Sequence, residues 1–152
     1  CLIVDGEVLA QTAGIARFCG KLTNLYPSLD IEAARVDQYI DMASDITNII
    51  SMTKLEDRDS QFLKELKKKL FILNKSIVAE SIFLVNNRLS IADIAIWSLI
   101  CWFKSGKINN IPANFVDEFN NIIKICAIVD KNKKLNDWVK KTYPSGYNRD
   151  FN

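Results

Sequence analysis

The β-strand pattern of this chain is confined to its first ten residues. Apolar runs at residues 1–4 and 8–10 flank Asp5-Gly6, a pair typical of two-residue hairpin turns. From residue 11 onwards the apolar residues recur at helical spacing. A lone two-stranded hairpin is only marginally stable in water, so this one is expected to be the end of a larger sheet. The sequence therefore predicts a mostly α-helical chain that begins with one hairpin.

Helical spacing predicts a short first helix at residues 12–22. Thr12 is the predicted cap of this helix, and its predicted buried stripe is Ile15, Phe18, Cys19 and Leu22. Two long helices follow at residues 30–52 and 60–79, the first starting at Asp30. A short polar turn joins them, which is how an antiparallel bundle begins.

The stretch from Ile91 to about Phe103 is apolar nearly all round. A helix without a polar face is predicted to be the central, buried one, with Trp97 in the core. Ser90-Ile91-Ala92-Asp93 has the form of a capping box at the start of this helix. In such a box the Ser90 oxygen accepts from the Asp93 amide, and the Asp93 carboxylate accepts from the Ser90 amide.

The remaining sequence predicts two more helices and a tail. An amphipathic helix is expected after Pro112, with Phe115 and Phe119 on its apolar face, and a short last helix carries Trp138. A loose tail is predicted from Pro144 and Gly146.

The composition excludes several classes of chemistry. The chain has no histidine, so it can build neither Ser-His-Asp nor Cys-His catalysis, and no His-ligated metal site. With 20 basic and 18 acidic residues the net charge is +2, which gives no overall bias toward nucleic acid or a membrane surface. Neither is therefore a predicted partner. Lys67-Lys68-Lys69 is expected to be a solvated helix face, because no aromatic side chains interleave it.

Four cysteines stand at positions 1, 19, 101 and 126 without a CxxC pair. This usage predicts free thiols in a reducing compartment. No apolar stretch approaches the roughly 20 residues that span a bilayer, so the sequence predicts a soluble cytoplasmic protein. Cys19 and Cys126 fall on predicted buried stripes and are expected to be core thiols.

Five segments together carry a resemblance to a known family. The segment Val4 to Phe18 resembles the third strand, fourth strand and third helix of the cytosolic glutathione transferases, and Leu25-Tyr26-Pro27 resembles their linker. Glu32 to Asp37, followed by Asp41 and Asp45, is similar to their fourth helix, and Ser90 to Asp93 matches the folding motif of their sixth helix. The stretch Val129 to Trp138 is similar to the end of the sigma-like class.

This resemblance implies a domain organisation. Residues 1–24 would be the C-terminal part of a thioredoxin-like, glutathione-binding α/β domain, residues 25–30 a linker, and residues 31–152 the all-α bundle domain. The fold class implied is a helical bundle preceded by the last hairpin and helix of the thioredoxin-like domain. The first part of that domain, with the catalytic residue, would lie upstream of Cys1.

The function implied by the resemblance is transfer of glutathione to an apolar electrophile. Gln11-Thr12 occupies the family's glutathione-binding turn, where a helix start presents free amides to a carboxylate. The residues by themselves favour a simpler reading, in which Thr12 only caps its own helix. The resemblance also implies a homodimer that requires no metal, and residues 1–152 alone are expected to be inactive.

Asp37, Asp41 and Asp45 recur every four residues and so share one helix face. One interpretation of this stripe is a solvated acidic surface without a binding role. The resemblance implies that Asp45 holds the ammonium group of the partner subunit's glutathione. Binding of a divalent cation by the three carboxylates stays open.

Two other functions stay open. The same fold serves as a non-catalytic docking module in translation factors and tRNA synthetases, and residues 84–90 resemble those modules as much as the enzymes. A carrier of bulky apolar ligands is the third possibility. Gln11-Thr12 and Asp45 favour the enzyme, because a docking module need not retain them.

Overall fold

The computed structural model describes residues 1–143 and 149–151, so residues 144–148 and 152 of the predicted tail lie outside the described residues. The described part of that tail is packed rather than loose, because Phe151 is buried and Arg149 lies 2.7 Å from the Asp130 carboxylate. The chain opens with strands β1 (Leu2–Val4) and β2 (Glu7–Leu9), which pair antiparallel with Leu2 opposite Leu9. Asp5 and Gly6 connect them with φ of 50° and 86°, as a tight hairpin turn requires. The predicted hairpin is confirmed.

The other regular elements of the described residues are helices, which confirms the predicted fold class. The helices are α1 (Thr12–Leu22), α2 (Asp30–Met52), α3 (Ser60–Ser76), α4 (Ile91–Lys104), α5 (Asn120–Asp130) and α6 (Lys133–Thr142), with a short 3-10 turn at Leu55–Asp57. Helix α4 contacts α1, α2 and α5, and α3 contacts α2 and α5. None of the helices in the described part of the chain is both long enough and apolar enough to cross a bilayer.

Helix α4 is the centre of the bundle, as predicted. Ten of its residues are buried, including Trp97 at 4% exposure and Ile96 and Ile100 at 0%. Its last residue, Lys104, is 7% exposed and lies 2.7 Å from the Asp117 carboxylate, which gives the buried ammonium its counter-charge.

The start of α4 is held by one buried carboxylate. Asp93 is fully buried, and its Oδ2 accepts hydrogen bonds from the amide and the hydroxyl of Ser90, both at 2.8 Å. Its Oδ1 accepts from the Leu84 amide at 2.8 Å, so the carboxylate also fixes the loop before the helix. Burial raises the pKa of Asp93, and these hydrogen bonds oppose the rise.

Two helices end or begin at positions other than those predicted. Helix α3 stops at Ser76. The hydroxyl of Tyr39 donates a hydrogen bond to the Ser76 carbonyl at 2.9 Å, and the backbone becomes extended at Ile77. Helix α5 begins only at Asn120, so Phe115 and Phe119 lie in the turns before it. The Asn74 side chain accepts from the Asn121 and Ile122 amides and so supplies the α5 cap from α3.

Thr12 and Asp30 do not cap their helices. Gln11 is the N-cap residue of α1, with φ of 69°, and Leu29 is that of α2; neither helix has a side-chain cap hydrogen bond. Thr12 and Asp30 are each the first residue of their helix, one position after the N-cap. Only a side chain at the N-cap is well placed to accept a hydrogen bond from the free amides of the first turn. The Thr12 hydroxyl is therefore available for another role.

The buried stripe predicted for α1 is wrong for Cys19, which is exposed, and for Leu22, which is 72% exposed. Helix α1 instead turns its small residues toward the bundle: Ala13 and Ala16 pack against the core and Gly20 is buried. A Cβ at Gly20 would lie 2.9 Å from Cγ2 of Ile91. Because α1 approaches the start of α4 this closely, the side of α1 that carries its small residues packs on the bundle, and part of the predicted apolar stripe faces solvent.

Replacing Gly20 by alanine should destabilise the protein by about 1–2 kcal/mol, because the new methyl group overlaps the branched side chain of Ile91. Gly14 is the matched control, because it lies on the same helix and a Cβ there would have nothing within 4 Å. Gly14→Ala should stabilise by up to about 1 kcal/mol through helix propensity. Thermal unfolding of both variants checks this, and equal shifts in the same direction would contradict the tight α1–α4 contact.

Asp93→Ala should lower the free energy of unfolding by about 3 kcal/mol or more, because it leaves three donors, the two of Ser90 and the Leu84 amide, without their acceptor. For a domain of this size each kcal/mol corresponds to about 2–4 °C in Tm. Exposed Asp57 provides the control, and Asp57→Ala should change Tm little. A Tm for Asp93→Ala within a degree of the parent's would show that the carboxylate does not hold the helix start.

Candidate functional site

A cleft of about 440 Å³ opens between α1, α2 and α4. Thr12 lies on the wall contributed by α1, and Trp102 and Leu99 of α4 give it apolar surface. Polar groups share the walls with them: Ser44, Thr47, Asn48 and Ser98. The cleft can therefore accommodate a small molecule that is part apolar and part polar.

Small residues at helical spacing form the walls of this cleft. On α2 they are Ala43, Ser44 and Thr47; on α4 they are Ala95 and Ser98. The hydroxyls of Ser44 and Thr47 each donate to the backbone carbonyl four residues earlier, at 2.9 Å. Their oxygens keep lone pairs that can accept from a ligand. These residues were not predicted from the sequence, and their signal was the recurrence of small side chains on facing helices.

The amino-terminal end of α1 is free to bind an anion. Gln11 and Thr12 are both exposed, and neither side chain caps the helix. The first amides of a helix have no partner within it, and they point along the positive end of its dipole. Because Thr12 also lines the cleft, a carboxylate bound at this end would place the rest of its molecule beside α2 and α4.

An ionic network holds α1 against α2. The Arg17 Nε donates to Asp37 Oδ1 at 2.7 Å, and the Tyr26 hydroxyl donates to Asp37 Oδ2 at 3.0 Å. The hydrogen bond that Arg17 donates to Asp37 raises the pKa of Arg17, while burial, followed by the hydrogen bond to Asp37, raises the pKa of Tyr26. A second Arg17 nitrogen lies 3.5 Å from Asp41. This network was not predicted, because its members lie in three separate segments.

The same contacts divide the acidic stripe of α2. Asp37 and Asp41 face Arg17, whereas Asp45 lies 4.0 Å from Lys69 of α3. Within the described residues no group of three His, Cys, Asp or Glu side chains could hold a metal ion. The three carboxylates therefore do not form one cation site.

Asp45 and Thr12 do not share a cleft. Asp45 lines a neighbouring groove with Ile49 and Met52, and Asn48 is the residue that borders both spaces. Within one copy of the chain the structure thus brings Thr12 to the cleft and leaves Asp45 on the outer face of α2.

The buried cysteines cannot act as nucleophiles at neutral pH. Burial, followed by the nearby Asp130 charge, raises the pKa of Cys101 to about 12, and burial raises the pKa of fully buried Cys126 as well. Cys126 is the core thiol that the sequence predicts, while the same prediction for Cys19 is wrong. A thiolate is the reactive form, so neither buried thiol is a candidate for catalysis.

The family model described as "Glutathione S-transferase, C-terminal domain" matches residues 40–142, which is more than half of the chain. The chain belongs to this family. The match covers α3 to α6 and most of α2 and confirms the family resemblance, while the sigma-like class stays a prediction.

The chain also shares its fold with a solved structure. Glutathione transferase YghU from Streptococcus pneumoniae, complexed with glutathione, superposes with a TM-score of 0.73 at 23% sequence identity. The alignment covers 89% of this chain and 56% of that protein, so the chain spans little more than half the length of this relative. No curated protein sequence matches the chain.

At pH 8 a thiol reagent should label two of the four cysteines of the native protein, the exposed Cys1 and Cys19. With a pKa of about 12, Cys101 is ionised to only about one part in ten thousand at that pH, and its burial adds a steric barrier. All four should react in denaturant, and Cys19→Ser should reduce the native count to one. Rapid labelling of three or four thiols in the native protein would contradict the buried positions of Cys101 and Cys126.

Proposed function

We propose that this chain is the glutathione-binding part of a glutathione transferase that conjugates glutathione to apolar electrophiles. The observation that carries the proposal is the position of the uncapped α1 amino terminus, with Thr12, on the wall of the cleft between α1, α2 and α4. Membership of the family supports it. The division into residues 1–24, 25–30 and 31–152, the sigma-like class and a cytoplasmic location belong to the same proposal.

Glutathione binds with its γ-glutamyl carboxylate at the amino-terminal end of α1. The free amides of the first turn and the Thr12 hydroxyl donate to the carboxylate, and the Gln11 amide group adds a directed bond. Arg17 supports this arrangement indirectly, because its ion pair with Asp37 fixes the orientation of α1 on α2. No metal takes part in this binding mode.

The electrophile occupies the apolar part of the cleft. Trp102, Leu99 and Ile40 supply the apolar surface, and Ser98 and Thr47 provide hydroxyl groups near it. A molecule with an aromatic or aliphatic body and a polar reactive centre suits this mixture.

Activation of the glutathione thiol needs a hydrogen-bond donor that stabilises the thiolate. The Tyr26 hydroxyl already donates to Asp37, and Cys101 is buried. The family resemblance implies that the activating group lies upstream of Cys1, and this location is part of the proposal. Residues 1–152 should bind glutathione without conjugating it, and turnover of chlorodinitrobenzene clearly above the uncatalysed rate would contradict this assignment.

Asp45 is proposed to act across a homodimer. A groove of about 180 Å³ between α2 and α3 is lined by Met42, Ile72, Asp45 and Lys69, and the apolar side chain of Ile72 is 52% exposed. A second copy related by a two-fold axis would cover this surface. Each Asp45 would then lie beside the glutathione of the partner subunit and bind its ammonium group.

Asp45→Ala in the intact protein should weaken glutathione binding about ten-fold, because it removes one partly exposed, charge-assisted hydrogen bond. Asp41→Ala is the matched control, since Asp41 lies one turn earlier on the same stripe with the same 69% side-chain exposure. Isothermal titration calorimetry measures both affinities, and light scattering measures the mass. Equal affinities for the two variants would remove Asp45 from the site, and a monomeric parent would remove the shared site.

Thr12→Ala separates the enzyme from its alternatives. It should weaken glutathione binding in the same titration, whereas Thr23→Ala at the other end of α1 should not. A parent protein that does not bind glutathione at all would instead favour the docking module or the apolar-ligand carrier.

A further inference from the structure

Helix α6 concentrates positive charge on the surface of the protein. Residues 131–143 contain five lysines and one acidic residue, Asp137, whereas the net charge of the whole chain is only +2. The ammonium of Lys133 lies 2.6 Å from the Asp137 carboxylate, so the one acid of this segment is already engaged. The remaining lysines give this side of the molecule a local positive charge that the net charge of the whole chain does not reveal.

An exposed aromatic pair lies among these lysines. Trp138 is 52% exposed and Tyr143 is 42% exposed, and their rings meet edge to face with centroids 5.9 Å apart. Lys134 precedes Trp138 by four residues and Lys141 follows it by three, so both flank the indole on the helix surface. We call Lys134, Trp138, Lys141 and Tyr143 the α6 face.

The α6 face is not the packing surface of its helix. Val139 is 5% exposed and Leu135 packs against the core, so α6 is anchored by its other side. A tryptophan is on average a well-buried residue, and this one contributes half of its surface to solvent instead. Its exposure next to two lysines therefore calls for an explanation outside the core.

We propose that the α6 face binds single-stranded nucleic acid without sequence preference. Every base offers a flat face that can stack on Trp138, while the flanking phosphates meet the ammonium groups of Lys134 and Lys141. A membrane surface fits less well, because the apolar side of α6 is packed on the bundle and only two rings remain to enter the lipid. An acidic peptide would use the lysines and leave the exposed indole without a role.

The lysines of α3 show what a solvated basic face looks like on the same protein. Lys67 lies 2.5 Å from the Glu118 carboxylate, and Lys69 lies 4.0 Å from that of Asp45. The exposed ring of Phe71 is covered by the ammonium of Lys75 at 5.0 Å from its centroid. Helix α3 therefore carries exposed lysines and an aromatic ring, as α6 does, but its lysines have acidic partners and its ring is covered. It serves as an internal control for the binding proposed for α6. The proposal departs from the expectation of no nucleic acid, which rested on net charge alone.

Fluorescence anisotropy of a labelled oligothymidylate of about twelve nucleotides, titrated with the intact protein at low salt, tests the proposal. Trp138→Ala should weaken binding about ten-fold through the lost stacking. The double change Lys134→Gln and Lys141→Gln should weaken binding and reduce the salt dependence, with the slope of log K against log salt falling by about 1.4. The matched pair Lys64→Gln and Lys68→Gln on α3, also exposed, should change neither quantity.

Several results would overturn the proposal. They are absence of binding at low salt, equal losses from the α6 and α3 lysine pairs, and an unchanged affinity after Trp138→Ala. Displacement of the oligonucleotide by polyglutamate at equal charge concentration would show that charge alone is recognised, which also overturns it. Binding to anionic vesicles that depends on Trp138 more strongly than oligonucleotide binding does would assign the face to lipid instead. Circular dichroism of each variant establishes that it is folded, and the exposed lysine variants keep the test decisive if Trp138→Ala does not fold.

Discussion

The structure depends on the burial of α4, in which ten of the fourteen residues are buried. A helix that is apolar on nearly all sides needs other helices around it, and α1, α2 and α5 pack against it. The unpaired amides at its start then lie where water cannot reach them. The Asp93 carboxylate accepts from the Ser90 amide at this start, and also from the Ser90 hydroxyl and from the Leu84 amide of the preceding loop, which offsets the energetic cost of its own burial.

The position of the candidate site follows from the same helix start. Ile91 is the first residue of α4; its amide donates to the Leu25 carbonyl at 2.9 Å, and its side chain meets Gly20 of α1. The Gly20 carbonyl in turn accepts from the Leu25 and Tyr26 amides. Helix α1 is thus fixed at its carboxyl end by backbone contacts and along its length by the Arg17–Asp37 ion pair. Its amino end, with Gln11 and Thr12, is held at the cleft as a consequence.

The spacing of apolar residues was sufficient to predict where the helices lie, but it was not sufficient to predict how they contact one another. The spacing of Leu66, Leu70 and Leu73 predicts a buried stripe, and these residues are fully buried because α2 and α5 lie against that side. The stripe of α1 has the same spacing, yet Leu22 is exposed, since the approach at Gly20 selects a different side of the helix. Periodicity shows that a helix has an apolar side but not which side its neighbours can reach most closely.

Only part of the candidate site could be predicted from the sequence, because the rest depends on contacts between distant segments. Gln11-Thr12 and Asp45 were predicted as site residues from the family resemblance, whereas the Arg17–Asp37–Tyr26 network joins residues 11 and 20 positions apart and has no local signature. The cleft walls of Ser44, Thr47, Ala95 and Ser98 become visible only when α2 and α4 are placed together.

We propose that the uncapped amino terminus of α1 binds the carboxylate of glutathione. Titration of the ¹⁵N-labelled protein with glutathione, followed by amide chemical shifts, tests this binding mode, because the proposed donors are themselves amides. The largest shifts are expected for Thr12, Ala13 and Gly14, with smaller shifts for cleft residues of α2 and α4. Shifts confined to other parts of the molecule, or none at saturating glutathione, would contradict it.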